Sequence, residues 1–196
     1  ASSTDGLPLR RVGDPSGYAV PRMEGSRAHP AGLEDRALLG QCEERRTRGS
    51  GPGGQHRNKV ETKVVLTHRA TGAVGQAGER RSQEENRRMA LRRLRLALAV
   101  GVRVPGAAAR SPSPLWRSRC RDGRIACNTS HEDFPALLAE ALDLLAETGW
   151  DPRRAAGILA CTPTQVVRLL GDHPPARAAL NAGRARVGLP SLRDRG

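Results

Sequence analysis

Aromatic residues are almost missing from this chain. Its 196 residues include two tryptophans, one tyrosine and one phenylalanine. That is too few to build the stacking platform on which single-stranded RNA is usually read, so nucleic-acid recognition would have to rest on phosphates and shape. Lysine is nearly absent too, with only Lys59 and Lys63. No run approaches the roughly 18 apolar residues of a membrane span. The N-terminal stretch has no apolar core of a secretory signal, and Asp5, Asp14 and Glu24 among prolines and glycines interrupt any amphipathic transit helix. A cytoplasmic location is expected, with no membrane partner. The cysteines Cys42, Cys120, Cys127 and Cys161 form no Cys-x-x-Cys pair, and no histidine pair completes a zinc set. Reduced thiols, no metal and no cofactor are expected.

What the chain does have is positive charge. Lys and Arg number 33 against 20 Asp and Glu, a formal net charge of +13. This implies a polyanionic partner, with nucleic acid ahead of a membrane surface because no large aromatic face opposes the arginines. The bland alternative is a coding bias, since Ala, Gly and Pro are abundant as well.

Four short patterns succeed one another between Leu33 and Val100. Ser50-Gly51-Pro52-Gly53-Gly54-Gln55-His56 is a glycine loop flanked by Arg48, Arg57, Asn58 and Lys59. Gly53 and Gly54 can take backbone shapes closed to residues with a Cβ, so the chain there can approach a reacting group and offer it an N–H. From Lys59 to Thr67 residues alternate, with Val60, Thr62, Val64 and Leu66 on one side, which predicts a half-buried strand. Arg69 to Gly72 reads as a turn and Ala73 to Gln76 as a short return strand. Ser82-Gln83-Glu84-Glu85 fits a capping box opening a helix whose buried face is Met89, Leu91, Leu94 and Leu98. Arg87, Arg88, Arg92 and Arg95 are expected on its solvent face. Upstream, Leu33 to Arg46 reads as a helix, weakened by Gly40, with a strand in part of it as the alternative.

Taken together, the Ser50–His56 loop, Asn58-Lys59, the Leu66, His68, Thr71 and Gly72 set, and Arg81-Ser82-Gln83 with Asn86-Arg87 resemble the catalytic domain of class I peptide-chain release factors and their stand-alone ribosome-rescue relatives. One departure is Arg57, where that family usually has a small apolar residue. The resemblance implies an α+β fold, a short β-sheet plus helices around the loop. It implies hydrolysis of peptidyl-tRNA in the peptidyl-transferase centre of the large ribosomal subunit. Gly53, Gly54 and Gln55 would be catalytic: the Gln55 N–H would stabilise the oxyanion or leaving oxygen, and its side chain would shape a pocket for water. Arg48, His56, Asn58, Lys59, Arg81, Gln83, Asn86 and Arg87 would contact RNA. The resemblance also implies N5-methylation of Gln55 by a glutamine methyltransferase. A general-base role for His56 is disfavoured, because no carboxylate near it in sequence would orient it.

The expected organisation is a flexible arm over 1–32, the catalytic domain over 33–100, a Pro/Ser/Gly-rich linker over 101–129, a helical C-terminal domain over 130–190 and a tail over 191–196. Phe134, Leu137, Leu138, Leu142 and Leu145 form a helical stripe that Gly149 ends. Asp151-Pro152 and Thr162-Pro163 each open a helix, and only about two residues separate these helices. The pair resembles a helix-turn-helix in which Ala160 takes the place of the usual turn glycine; a plain helical bundle is the alternative.

About 30 residues precede the catalytic domain and about 95 come after it, which leaves little length for codon-reading domains. Codon-independent rescue of stalled ribosomes is therefore expected. A non-catalytic RNA- or DNA-binding adaptor, using the helix-turn-helix-like part, is the alternative from another class, and hydrolysis of free peptidyl-tRNA is a third.

Overall fold

Cys42–Thr47 forms a strand (β1) that runs antiparallel to β2, Lys63–His68, while the helix before it (α1) covers only Asp35–Gly40. The helix expected over Leu33–Arg46 is thus half helix and half strand. Pairing with β2 overrides the local helical pattern, and the strand's charged residues sit at the sheet edge, where such residues are tolerated. These elements come from a computed structural model, which describes residues 28–47 and 62–192.

A third antiparallel strand, β3 (Val74–Ala77), completes a sheet of order β1-β2-β3. Val64, Leu66 and His68 of β2 face inward as the alternation requires. Gly72, with φ 70°, closes the β2–β3 turn. Behind it, the Thr71 hydroxyl accepts from the Ala73 N–H and lies 2.8 Å from His68 Nδ1, and His68 Nε2 lies 3.0 Å from Gln41 Oε1. Burial, then Arg69, lowers the His68 pKa. The imidazole is therefore neutral, donating through Nε2 and accepting from the Thr71 hydroxyl through Nδ1.

Helix α2 (Gln83–Gly101) lies across the inward face of this sheet, capped by Ser82, whose hydroxyl accepts from the Glu85 N–H. Ala90, Leu91, Leu94, Leu98 and Ala99 are buried. At Gly75 the packing is so close that a Cβ would lie 2.1 Å from the Ala90 carbonyl oxygen and 2.4 Å from the Leu94 nitrogen. Only glycine fits there.

The segment 101–129, expected as a linker, is anchored in the core at several points, although much of it is exposed. Val102, Val104, Ala107 and Trp116 are buried, and it holds α3 (Pro114–Arg119) and a hairpin of β4 (Cys120–Arg121) and β5 (Arg124–Ile125). The cause lies on the next helix, α4 (Phe134–Glu147). Three of its carboxylates accept backbone N–H groups of this segment: Glu140 from Ser113, Asp143 from Val104, and Glu147 from both Ala107 and Ala108, at 2.8–3.1 Å. Asp143 also accepts from Arg103 at 3.0 Å, and the same guanidinium donates to the Ala99 and Val100 carbonyls that end α2. A buried ion pair thus serves as a C-terminal cap.

Helices α5 (Pro152–Ile158) and α6 (Pro163–Gly171) come next, as the Asp-Pro and Thr-Pro signals predict, and α7 (Pro174–Arg186) after them, a helix not singled out from the sequence. Asp151 accepts from the Arg153 N–H and Thr162 from the Gln165 N–H. Ala160 sits between α5 and α6 with φ 52°, in the left-handed region the turn demands. Trp116 Nε1 donates to the Leu159 carbonyl at 2.9 Å, which pins that turn to α3. Helix α4 is buried nearly all round, between α2 on one side and α5–α7 on the other, and the buried apolar side chains form one continuous cluster.

Candidate functional site

The residues expected to carry the chemistry, Gly53, Gly54 and Gln55, lie outside the described residues, as do Arg48, His56, Asn58 and Lys59. The flanks are described. Thr47, the last residue of β1, pairs with Lys63, the first of β2. Beside this pair stands the N-terminal end of α2, which brings Arg81, Gln83, Asn86 and Arg87 to one corner of the sheet.

These four are not equivalent. Arg81 is exposed in the turn ahead of α2, and Gln83 is half-buried at the helix start. Arg87 is partly exposed and donates through Nε to Glu44 of β1 at 2.9 Å. The Arg87 hydrogen bond, ahead of Arg46, holds the Glu44 carboxyl below the usual carboxylate range, so this bridge is ionised at neutral pH. Asn86 is a correction. It is fully buried, and all three of its hydrogen bonds go to backbone. Its Oδ1 accepts from the Arg80 N–H at 2.9 Å, and its Nδ2 donates to the Arg80 carbonyl at 2.9 Å and to the Thr62 carbonyl at 2.7 Å. A side chain spent in this way cannot touch RNA; it ties the start of β2 to the turn before α2. The sequence carries a signal for this, because Asn86, Ala90, Leu94 and Leu98 share one face at four-residue spacing.

The helix arginines divide in the same manner. Arg92 donates to the His131 and Thr129 carbonyls, and Arg95 to the Ala31 carbonyl and to Asp35. Arg93 donates to the Gln76 carbonyl and to Glu79. Glu79 is held down to about pKa 2, first by the Gly78 N–H and then by Arg93. These side chains brace the fold. Arg80, Arg81 and Arg88 remain exposed at the α2 entry, with no ion pair among the described residues. Glu84 and Glu85, exposed in the first turn of α2, stand beside them, so the corner carries both signs of charge.

No described cysteine offers a competing thiolate. Burial pushes the Cys161 thiol up to about 12 and also raises Cys42, Cys120 and Cys127, so these thiols stay protonated and inert. Among the described residues no group of His, Cys, Asp and Glu could hold a metal ion, and no helix is long and apolar enough to cross a membrane.

The family model of the RF-1 domain matches residues 40–111, from the end of α1 through β1–β3 and α2. Residues 40–111 are a class I release-factor catalytic domain. Over 64 residues, a third of this chain, it is 47% identical to a protein named peptide chain release factor 1 from Acidiphilium cryptum, covering 18% of that protein. Over 62 residues it is 44% identical to a peptide chain release factor 1 from Xylella fastidiosa, covering 17% of it. Over 51 residues it is 53% identical to a peptide chain release factor 2 from Variovorax paradoxus, covering 14% of it. The chain therefore spans less than a fifth of the length of these curated relatives. No solved structure matches it. The release-factor domain thus contains the corner built by Glu44, Thr62, Arg80, Asn86 and Arg87, while α4–α7 lie beyond the matched segment.

Proposed function

We propose that this protein hydrolyses the ester joining a nascent peptide to tRNA, on the ribosome and without reading a stop codon. What carries the reading is a release-factor domain over residues 40–111 that includes Gly53-Gly54-Gln55. In this reading the two glycines let the loop enter the peptidyl-transferase centre. The Gln55 N–H stabilises the oxyanion or leaving oxygen, and the Gln55 side chain selects water. Arg81 and Arg87, with Arg48, His56, Asn58 and Lys59, hold ribosomal RNA. Gln83, at that end of α2, contacts the same RNA. Methylation of Gln55 by a glutamine methyltransferase belongs to the same proposal.

Codon independence draws on the C-terminal helices. Residues 114–192 pack through α4 onto α2, which supports a role for that part in orienting the catalytic domain. The test is peptide release from three purified complexes: a stop codon in the A site, an mRNA truncated at the P site, and isolated large subunits with peptidyl-tRNA. Release from the truncated complexes or the large subunits supports the reading. Release confined to stop codons overturns codon independence. Absence of release from all three overturns the hydrolase and favours a non-catalytic adaptor.

A further inference from the structure

Helix α6 stands as a ridge between two open grooves. One, of about 810 Å³, lies against α5 and α7 and is lined by Arg153, Thr164, Val167 and Arg168 among others. The other, of about 610 Å³, lies against the chain leaving β5 and is lined by Cys127, Asn128 and His131, again with Arg168. The inner side of the ridge is settled, with Val166, Leu169 and Leu170 buried. Its outer side carries Pro163, Thr164 and Arg168.

The β4–β5 hairpin is fastened alongside. The Thr162 N–H donates to the Gly123 carbonyl at 3.3 Å, and the Ile125 N–H donates to Gln165 Oε1 at 3.1 Å. Arg121 and Arg124 face each other across that hairpin, and both are exposed. Arg121, Arg124, Arg153 and Arg168 form no ion pair among the described residues. Three carboxylates lie nearby. Asp151, at the wall of the larger groove, is occupied as the α5 cap, Asp122 sits in the hairpin turn, and Asp172, directly after α6, is exposed and lines both grooves beside Arg168.

We propose that α6, with the flanking arginines of α5 and the β4–β5 hairpin, is a second RNA-docking surface that grips the phosphate backbone of an RNA duplex. A nine-residue helix is about 14 Å long. Laid across the wide, shallow minor groove of A-form RNA, it places arginines on either side toward the two phosphate strands. Sequence reading is not provided for. The amide on α6 that could make a bidentate base contact, Gln165, has its oxygen occupied by the Ile125 N–H. What remains, Thr164 and Arg168 with neighbouring arginines, suits phosphates and shape. This surface lies outside the matched release-factor segment and gives the C-terminal helices a role that the hydrolytic loop does not supply. It rests on the ribosomal reading only for where such a duplex would be met.

The test is binding of the full chain to a 20-base-pair RNA duplex and to a DNA duplex of the same sequence, by fluorescence anisotropy across a salt series. The wild type is compared with R124Q/R153Q/R168Q and with a charge-matched control, R36Q/R110Q/R117Q. Circular dichroism confirms folding of each. The expected result is tighter binding to RNA than to DNA, and a triple variant weakened at least about tenfold. Its salt slope should fall by about three, one per lost phosphate contact, with the control near wild type. Equal binding by the triple variant and the control overturns the proposal, as does preference for the DNA duplex. Peptide release by the same variants is read separately. Loss of hydrolysis by the wild type would sink the ribosomal reading but leave the duplex result standing, and loss of the arginine effect would do the reverse.

Discussion

Asn86 Nδ2 donates to the carbonyl of Thr62 at 2.7 Å, across 24 residues of sequence. The same amide also brackets Arg80 through its N–H and its carbonyl. Removing it leaves three backbone groups without their partner in the interior. Asn86→Ala should cost about 3 kcal/mol of stability, measured by urea unfolding. Asn86→Asp keeps the shape and the acceptor for Arg80 but cannot donate to Thr62, and it should be destabilising as well. A variant as stable as the wild type would contradict the clamp.

Ala160 takes a left-handed conformation between α5 and α6. The fold tolerates this at a cost of about 1 kcal/mol or more, which glycine does not bear. Glycine's extra freedom in the unfolded chain returns part of that gain. Ala160→Gly should therefore raise stability by roughly 0.5 kcal/mol, whereas Ala160→Val should lower it. Thermal unfolding of the pair gives the answer, and a destabilising glycine would mean that the turn is not strained.

His29 introduces a pH dependence. Its Nδ1 accepts from the Ala31 N–H, and its Nε2 contacts the Val102 carbonyl at 3.3 Å. Burial, then Arg103, lowers its pKa from 6.5 to about 4. A depressed folded pKa means that its contribution is complete above 6.5 and is lost as pH falls toward 4, because the unfolded chain takes up the proton first. The shift corresponds to about 3 kcal/mol. Asp143, raised to about 6 mainly by burial, acts with the opposite sign between about 3.8 and 6. The comparison that isolates His29 is wild type against H29Q, with urea unfolding from pH 7.5 to 4. The wild type should lose its advantage as pH falls, and a constant difference would contradict the neutral, buried imidazole.

Much of this fold is legible in the sequence, and the misses have physical causes. The alternation in β2, the Ser82 cap and the Asp-Pro and Thr-Pro helix starts are local signals, and the structure obeys them. Cys42–Thr47 is a strand through its pairing with β2, which a local pattern cannot reveal. The segment after α2 reads as a linker because it is rich in Pro, Ser and Gly. It is held by Glu140, Asp143 and Glu147, which lie about 30–40 residues away in sequence. Family resemblance assigns Asn86 to RNA, although its own spacing places it on the buried face. Arg92 and Arg95 read as solvent-facing charge, yet each donates to carbonyls of a distant segment.

The central claim concerns Gly53-Gly54-Gln55. A Cβ at Gly54 would restrict the backbone that must present the Gln55 N–H, and loss of one such donor costs about 10²–10³ in rate. The most direct measurement is single-turnover peptide release from ribosomes stalled on a truncated mRNA, comparing the wild type with Gly54→Ala at saturating protein and monitoring ribosome binding in parallel. The expected result is release by the wild type, at least about a hundredfold slower in the variant, with binding unchanged. Release by Gly54→Ala near the wild-type rate would contradict the account.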